Sequence, residues 1–431
     1  MENRRTEVLH ITAHLGGGVG KALSGLTLNT PCNSPVRHTI ICLERPEKSQ
    51  FSEKIKAAGC DVIVCPSHVE LCSLIEGADI VQLEWWNHPA TIGMLCSAPL
   101  PPMRLVLWCH ISGLHNPIIP CRLMEAAHKC LFTSPCSYEA SEVTSLLPFC
   151  RNRFDVVHSS GGFDGLTPPP RDPSAPLVAG YLGSLNFAKL HPRYVDFLAA
   201  VAIPEFSVRM IGDATNKEIL ERQCQQAGRR GMLEFYGYRT DIASELASIN
   251  VLAYLLNPRH YGTSENALLE AMAMGVIPIV LDNPAERSLV TDRETGLIVA
   301  SPREFADAVA WLQDHPDARQ RIGQQAAASV RDRFSTERMT SAFERHYSSL
   351  LAENKTPIPF REVFGITPAE WFLSCQKDQD AFLTEGAIGT IDDLSLPGLL
   401  ERTKGSIFHF RQHFPEDARL SQWAMRLESF A

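Results

Sequence analysis

Short apolar runs alternate with helix-like stretches over most of this chain, in two successive blocks. The first block predicts strands rich in Val, Ile and Leu at Glu7–Ala13, Val36–Leu43, Asp61–Cys65, Ile80–Leu83, Leu105–Cys109, Cys130–Thr133 and Asp155–His158. The second block predicts strands at Leu177–Leu182, Ser207–Ile211, Leu233–Tyr236, Val251–Leu255 and Val276–Val280. Because such alternation is typical of βαβ units, we expect an α/β protein with parallel sheets.

A proline-rich segment separates the two blocks. TPPPRDPSAP at Thr167–Pro176 has five prolines in ten residues, and proline can continue neither a helix nor a central strand. We therefore predict an N-terminal domain over residues 1–170 and a second, similar domain over residues 171–352, which ends in amphipathic helices. Residues 353–431 predict a helical C-terminal extension, whose many aromatic side chains we expect to pack onto the main body.

Composition excludes several classes of protein. The 431 residues suffice for two or three domains. The 40 basic and 49 acidic residues argue against nucleic-acid binding. The chain shows neither a secretory signal nor an apolar stretch long enough for a transmembrane segment, so we expect a cytoplasmic protein. Its 13 cysteines have no zinc-finger spacing, so we expect reduced thiols and no metal site.

Glycines follow the first predicted strand, in HLGGGVGKAL at His14–Leu23. They let the backbone approach a ligand, and the helix that follows offers free N–H groups to an anion. The segment matches neither the P-loop pattern nor GxGxxG, which weakens the ATPase and dinucleotide-binding interpretations. A purely structural role in a tight turn remains an alternative.

Polar side chains end two other strands of the first block. His110 follows the apolar run VLWC, and Glu84 ends the neighbouring run in VQLEWW. At the carboxyl edge of a parallel sheet, such residues are placed to meet a ligand. The alternative for His110 is an ordinary hydrogen-bonded loop histidine.

Two segments of the second block are suited to a phosphate. In GYLGSLNFAKLHP, Lys189 lies beside a predicted helix start. In NPRHYGTSENALLEAMAMGVIPIV, Ser264 is a plausible N-cap for a helix over Glu265–Met274, ended by Gly275. The N–H groups at that helix start can hold a diphosphate, and Glu270 inside an apolar helix calls for hydrogen-bond donors such as ribose hydroxyls.

Together these segments resemble a retaining nucleotide-sugar glycosyltransferase of the GT-B fold, similar to glycosyltransferase family 4 (glycosyl transferases group 1). The resemblance rests on ENALLEAMAMGVIPIV, GSLNFAK, EFYGYRTDI and GGGVG, and covers about Glu7 to Leu351. It implies two Rossmann-like domains facing a cleft, with the acceptor bound mainly by the first. The implied partners are a UDP- or GDP-sugar donor and an unknown acceptor, a carbohydrate or small molecule. No cofactor and no obligatory metal are implied.

The resemblance assigns roles residue by residue. Glu270 matches the ribose-binding second glutamate of the family's E-x7-E motif, whereas the first falls at Gly262. We expect Glu265, or the backbone of Thr263–Asn266, to take over that contact. Lys189 matches the diphosphate-binding lysine.

The other matches are less complete. Ser184 stands where the family has a second phosphate-binding cation, an arginine. His110 matches a histidine at the reaction centre, and we assign it a positioning role. Tyr238 matches the nucleobase contact, and Gly17 and Gly18 match the glycine-rich loop. The predicted catalytic residues are thus His110 and Lys189, and the predicted donor-binding residues are Gly17, Gly18, Ser184, Lys189, Tyr238, Thr263, Ser264, Glu265, Asn266 and Glu270.

The implied mechanism is front-face attack with retention, in which Lys189 and the helix start stabilise the leaving diphosphate. Two alternatives stay open. One is a sugar-nucleotide epimerase of the same architecture, which needs no acceptor. The other is a nucleotide-sugar-binding protein without activity, which the departures at Gly262 and Ser184 favour. A Rossmann oxidoreductase is disfavoured, because GxGxxG is absent.

Overall fold

A computed structural model of the protein describes residues 4–31, 33–46, 49–384 and 386–430. The chain divides into two compact units. The first contains Met1–Gly162, Phe334–Ile391 and Arg402–Ala431, and the second contains Phe163–Arg333 and Asp392–Glu401. Each unit is built around one parallel sheet, which confirms the predicted α/β class.

The first unit has a seven-stranded sheet. Its strands are β1 (Thr6–Thr12), β2 (Val36–Cys42), β3 (Asp61–Val64), β4 (Ile80–Trp85), β5 (Leu105–Cys109), β6 (Lys129–Phe132) and β7 (Phe154–Val156). They lie in the order β3-β2-β1-β4-β5-β6-β7, and neighbouring strands pair in parallel. The strand order reverses between β1 and β4, the position at which open α/β sheets bind ligands.

The second unit has a six-stranded sheet of the same kind. Its strands are β8 (Ala179–Leu182), β9 (Val208–Ile211), β10 (Leu233–Gly237), β11 (Val251–Tyr254), β12 (Ile277–Leu281) and β13 (Leu297–Val299). The order is β10-β9-β8-β11-β12-β13, again parallel, with the reversal between β8 and β11. Strand β13, which has three residues, was not predicted from the sequence.

Helices connect the strands and form the C-terminal part of the chain. They are α1 (Gly17–Leu28), α2 (Gln50–Ala57), α3 (His68–Gly77), α4 (Pro89–Ser97), α5 (Cys121–Ala126), α6 (Ser141–Cys150), α7 (Tyr194–Ala199), α8 (Lys217–Gln226), α9 (Ile242–Ala247), α10 (Asn266–Ala273), α11 (Pro284–Leu289), α12 (Pro302–Asp314), α13 (Pro316–Arg333), α14 (Thr336–Leu350), α15 (Phe360–Phe364), α16 (Pro368–Leu373), α17 (Asp380–Leu383), α18 (Leu396–Leu400), α19 (Ile407–His413) and α20 (Ala418–Phe430). Short 3-10 helices lie at Pro135–Glu139, Arg151–Arg153 and Ala387–Thr390. Among the described residues, no helix combines the length and apolarity needed to cross a membrane.

The compact units divide the chain differently from the predicted domains. The proline-rich segment and the residues from Phe163 onward belong to the second unit, whereas α14 and most of the extension belong to the first. Helix α14 joins the first unit because its apolar face lies in that core: the Phe343 ring packs edge-on against Trp108, with centroids 4.8 Å apart. The Tyr347 hydroxyl donates to Gln82 Oε1 (2.6 Å) on β4.

The aromatic residues of the extension pack as predicted. Trp85 of β4 stacks on Phe364 of α15, with ring centroids 5.5 Å apart. Most of the others are buried as well, namely Phe360, Trp371, Phe372, Phe408, Phe410 and Trp423. The extension is therefore not an independent domain, because its apolar side chains complete the core of the first unit and, over residues 392–401, join the second.

Candidate active site

The loops that follow β8 and β11 are joined by backbone hydrogen bonds. Leu190 and Leu256 form an isolated antiparallel bridge, and the Asn257 N–H donates to the Lys189 carbonyl (2.8 Å). The Asn257 side-chain amide donates to Phe187 O (2.9 Å), closer to β8. These bonds bring Lys189 beside the loop that leads to α10, although the paired residues are 66 or more positions apart in sequence.

Lys189 forms an ion pair with Glu265, which was proposed from the sequence, as an alternative to the backbone of Thr263–Asn266, to replace the glutamate missing at 262. Lys189 Nζ lies 2.8 Å from Glu265 Oε2, and the two side chains are 24% and 3% exposed. The Tyr254 hydroxyl donates to the same oxygen (2.6 Å). Burial alone would raise the pKa of Glu265, but Lys189 and His260 hold it below its usual value. Burial likewise opposes the charge on Lys189, yet Glu265 raises the pKa of Lys189 above the usual value.

A second ion pair lies next to the first. His260 Nε2 is 3.1 Å from Glu286 Oε1, and its Nδ1 is 3.9 Å from Glu265 Oε1. We call the five side chains the buried charge cluster: Lys189, Tyr254, His260, Glu265 and Glu286. Two carboxylates thus face one ammonium and one imidazole, which balances the charge when His260 is protonated.

The side chains of His260, Glu265 and Glu286 also have the composition of a metal site. Their ligand atoms lie within 4.8 Å of one another, and all three residues are buried. However, Lys189 already neutralises Glu265, and a cation would have to displace that ammonium. The expectation that no metal is obligatory stays a prediction.

Gly262 is glycine because the Glu265 carboxylate fills its space. A Cβ built on Gly262 would overlap Glu265 Oε1 and would lie 2.8 Å from His260 Nδ1. When His260 is neutral, the Gly262 N–H also donates to that Nδ1 (3.0 Å). Glu265 thus places a carboxylate where a side chain at 262 would begin, and its role in sugar binding stays a prediction.

The start of α10 differs in detail from the prediction. The N-cap is Glu265 rather than Ser264, and the Glu265 side chain makes no capping hydrogen bond. The Glu265 side chain points to Lys189 and Tyr254 instead, because the ion pair competes with capping. Thr263 is buried, and Ser264 and Asn266 are half-buried beside the N–H groups of the first turn.

Glu270 lies one turn into α10 on the less buried side of the helix. Its neighbours Leu268, Leu269, Ala271 and Met272 are buried, whereas Glu270 is half-buried. At the other end, Gly275 has a φ of 69°, a left-handed conformation that suits the predicted helix stop.

Asp213 was missed by the sequence reasoning. It follows β9, at the same edge of the sheet as Lys189, and its two oxygens each lie 3.4 Å from the Leu185 N–H. Burial would raise the pKa of Asp213, but hydrogen bonds from Ser184 and Thr215 hold it below the usual value. A carboxylate therefore binds Ser184, at the position where the resemblance led us to look for a phosphate-binding cation. A polar residue directly after a buried strand was the available signal.

The extension supplies another unexpected carboxylate, through the short segment that belongs to the second unit. Glu401 Oε1 accepts hydrogen bonds from the Phe187 N–H (2.9 Å) and from the Asn216 side-chain amide (2.7 Å). Residues 392–401 are thereby fastened to the loop that carries Lys189. This contact could not be predicted from local sequence patterns, because Glu401 and Phe187 are 214 residues apart. By contrast, Tyr238, predicted to contact a nucleobase, is 60% exposed just after β10.

In the first unit, the glycine-rich loop follows β1 as predicted. Gly17 begins α1 with a φ of 58°, a conformation that favours glycine. Gly17 and Gly18 are exposed, and the Gly16 N–H donates to His14 Nδ1 (3.0 Å). The backbone of this loop is therefore accessible to a ligand.

Histidines from distant segments gather beside that loop. His14 and His88 have ring centroids 5.7 Å apart, and His88 and His409 lie at 4.7 Å. Glu44 bridges His88 and His413 at 3.5 and 3.3 Å. Burial, together with the neighbouring histidines and Lys404, lowers the pKa of His88 to about 2. His88 is therefore neutral at physiological pH.

Lys404 of the extension completes this histidine cluster, which consists of His14, His88, His409 and His413. Its Nζ lies 3.0 Å from His14 Nε2. Since His409 and His413 also come from the extension, that segment lines the glycine-rich loop of the first unit. From the sequence, only the packing of its aromatic side chains was predicted.

His110 lies directly after β5, and Glu84 is on the adjacent strand β4. Their side chains are in contact: His110 Nε2 donates to Glu84 Oε2 (2.8 Å). Glu84 is fully buried, and the His110 side chain is 8% exposed. Cys109, the neighbouring residue, is fully buried and lines no accessible surface.

Comparisons with known proteins bear on the second unit above all. Residues 168–329 match the family described as glycosyl transferases group 1. The lipopolysaccharide core biosynthesis glycosyltransferase LpsE of Rhizobium meliloti (strain 1021) is 23% identical over 147 residues, 34% of this chain and 42% of LpsE. The chain thus aligns with less than half the length of that relative.

Solved structures resemble a larger part of the chain. HepE (Alr3699) of Anabaena, crystallised with UDP and glucose, has a TM-score of 0.61 at 16% identity, covering 80% of this chain and 100% of HepE. The lipopolysaccharide outer core galactosyltransferase WaaB has a TM-score of 0.59 at 17% identity, covering 80% of this chain and 99% of WaaB. The chain therefore has the GT-B fold of these structures, and the match to the glycosyl transferases group 1 family is confined to residues 168–329.

Proposed function

We propose that this protein is a glycosyltransferase that moves a sugar from a nucleotide-sugar donor to an acceptor. The observation that carries the proposal is the pairing of Lys189 with Glu265 at the start of α10. A leaving nucleoside diphosphate gains negative charge as the glycosidic bond breaks, and a lysine beside helix N–H groups stabilises that charge. Gly262 occupies the position of the first glutamate of the E-x7-E motif. We propose that the carboxylate of Glu265, which lies against Gly262, replaces the missing one.

The donor is proposed to be a UDP- or GDP-sugar. HepE was crystallised with UDP and with UDP-glucose, which supports the uridine nucleotide. Glu270 is proposed to bind the ribose, with Thr263, Ser264 and Asn266 at the diphosphate and Tyr238 near the base. Retention by front-face attack, without an obligatory metal, completes the proposed mechanism, and Lys189 supplies the positive charge that the leaving group needs.

The first unit is proposed to bind the acceptor, a carbohydrate or small molecule, near the glycine-rich loop. His110 would contact the substrate there, and the histidine cluster with Lys404 would line the same loop. We also propose a cytoplasmic location. The described cysteines, twelve in number, are all free thiols, as is usual in a reducing compartment.

A ligand screen tests the donor assignment. We expect one nucleoside diphosphate, free or as its sugar derivative, to raise the melting temperature, since a ligand at 100 times its Kd adds about 2.7 kcal/mol to stability. Glu270→Ala should weaken that binding about 10- to 100-fold, because a hydrogen bond to a charged group contributes about 1.5–3 kcal/mol. Isothermal titration of both proteins measures the change.

Glu218→Ala is the matched control, since Glu218 is an exposed glutamate in the first turn of α8 in the same unit. It should bind like the unmodified protein. If Glu270→Ala also binds unchanged, the ribose assignment is wrong. Turnover of a nucleotide sugar without acceptor would indicate the epimerase, and binding without any turnover the inactive protein.

The buried charge cluster also predicts a pH dependence of stability. Burial would lower the pKa of His260, but Glu286 and Glu265 raise it above the ordinary value of 6.5. A raised folded pKa gives stability that is present below about pH 6.5 and lost as the pH rises through the folded pKa. The melting temperature of the unmodified protein should therefore exceed that of His260→Gln more at about pH 6 than at about pH 9. A difference that does not vary with pH would show that His260 is not charged in the folded protein.

A further inference from the structure

A row of buried polar side chains crosses the core of the first unit beneath His110. Glu84 Oε2 accepts from His110 Nε2, and Glu84 Oε1 lies 3.1 Å from His10 Nδ1. His10 Nε2 is 2.8 Å from His38 Nδ1, and His38 Nε2 is 3.2 Å from Thr30 Oγ1. The histidines and Glu84 come from β2, β1, β4 and the end of β5, which are neighbours in the sheet. So many polar groups in an apolar core are stable only if every one is paired.

The outer end of the row fixes where the protons lie. The Thr30 hydroxyl donates its single proton to the Leu26 carbonyl (2.8 Å), so Thr30 can only accept from His38 Nε2. Burial and the nearby His10 lower the pKa of His38 well below its usual value. His38 is therefore neutral, with its one proton on Nε2. Its Nδ1 must then accept a hydrogen bond from His10 Nε2.

The centre of the row is an ion pair. Burial would raise the pKa of Glu84, but hydrogen bonds from His10 and His110 hold it below the usual value. An ionised carboxylate only accepts, so His10 donates from Nδ1 to Glu84 as well as from Nε2 to His38. With both ring nitrogens protonated, His10 carries the positive charge that compensates Glu84. The Gln82 amide donates a further hydrogen bond to Glu84 Oε1 (2.9 Å).

Two consequences follow for His110. Its proton lies on Nε2, facing Glu84, and Glu84 needs no second positive charge because His10 supplies one. The other nitrogen, Nδ1, makes no hydrogen bond to the described part of the protein, and the ring is held edge-on against Trp108 with centroids 4.5 Å apart. The ring is thereby fixed in place with a single free lone pair.

We propose that Glu84 is a positioning residue that keeps His110 neutral, with Nδ1 as the acceptor for a hydroxyl group of the sugar donor or of the acceptor substrate. This inference rests on the proposed function, in which His110 contacts the substrate. Through His10 and His38, the row fixes the direction of every hydrogen bond that ends at His110. An imidazole oriented in this way can accept a hydrogen bond from a substrate hydroxyl while the imidazole itself stays neutral.

Nuclear magnetic resonance tests the tautomer directly on the full chain. With ring-15N-labelled histidine, and His110→Asn to identify the signal, long-range 1H–15N correlations should show a protonated Nε2 and an unprotonated Nδ1 at His110. Glu84→Gln should shift the ring to a mixture of tautomers. A doubly protonated His110, or a proton on Nδ1, in the unmodified protein would overturn the proposal.

Kinetics then tests the link to substrate. Glu84→Gln should lower kcat on the order of 100-fold with little change in the donor KM, since the acceptor atom is misdirected rather than removed. If Glu84→Gln does not fold, Glu84→Asp keeps the charge beside His10 but is one methylene too short to hold His110, and should give the same loss. Ser137→Ala is the control, because Ser137 is buried in the same unit and its hydroxyl has no partner among the described residues. If Glu84→Gln changes the tautomer of His110 but leaves kcat unchanged, His110 does not contact a substrate hydroxyl, and the proposal is overturned.

Discussion

Lys189→Met is expected to lower kcat/KM about 100- to 1000-fold, because it removes the cation that we propose stabilises the leaving diphosphate. It should also destabilise the protein, since Glu265 keeps its charge in a buried position without its main partner. Breaking a fully buried pair costs about 3–5 kcal/mol. Lys189 is 24% exposed, so we expect a value at or below the lower end of that range. Steady-state kinetics and urea unfolding measure the two effects.

A double variant separates catalysis from stability. Lys189→Met with Glu265→Gln removes both charges of the pair, so most of the lost stability should return. Activity should stay low, because no cation faces the diphosphate. If the single Lys189→Met variant transfers sugar at the unmodified rate, Lys189 is not part of the site and the second unit binds its donor in another way.

Gly262→Ala is expected to have the second-largest effect, although it adds only one methyl group. The added Cβ would overlap Glu265 Oε1, and the carboxylate must move away from Lys189. Overpacking of this kind costs about 1–3 kcal/mol. The displaced Glu265 should also weaken donor binding, since it holds the ammonium in place. Thermal unfolding and titration with the nucleoside diphosphate from the screen measure the two losses.

Gly398→Ala provides the matched control. Gly398 lies in α18, within the segment that belongs to the second unit, and its added Cβ would meet no atom within 4 Å. We expect this variant to be as stable as the unmodified protein and to bind equally well. If Gly262→Ala and Gly398→Ala have the same stability and the same affinity for the nucleoside diphosphate, the Glu265 carboxylate does not need the space beside Gly262.

The C-terminal extension contributes residues to both proposed ligand-binding loops, although it is far from them in sequence. Lys404 and His409 belong to the surroundings of the glycine-rich loop in the first unit, and Glu401 holds the loop of Lys189 in the second. The aromatic residues of the same segment were predicted to pack onto the body, and they do. Their periodicity indicates burial, but it carries no information about which polar residue beside them reaches a ligand loop.

Local pattern was sufficient for most strands. The runs at β1, β2, β5, β8 and β11 were predicted to within two residues at each end, because parallel strands buried on both faces are continuous apolar runs. Helix α10 was predicted with one residue too many at each end. Its N-cap was wrong for a physical reason: Glu265 is held by Lys189 and Tyr254, contacts that depend on residues remote in sequence.

By itself, the sequence determined the α/β class, the two sheets and the positions of His110, Lys189, Glu265 and Glu270, since each follows from local spacing of apolar and polar residues. Only the tertiary structure decided their partners. The carboxylate of Glu265 fills the space of Gly262, Glu84 accepts a hydrogen bond from His110, and α14 belongs to the first unit. These contacts depend on which loops meet at one edge of a sheet. The strand order that brings such distant segments together is set by the packing of the whole chain and not by any local stretch of sequence.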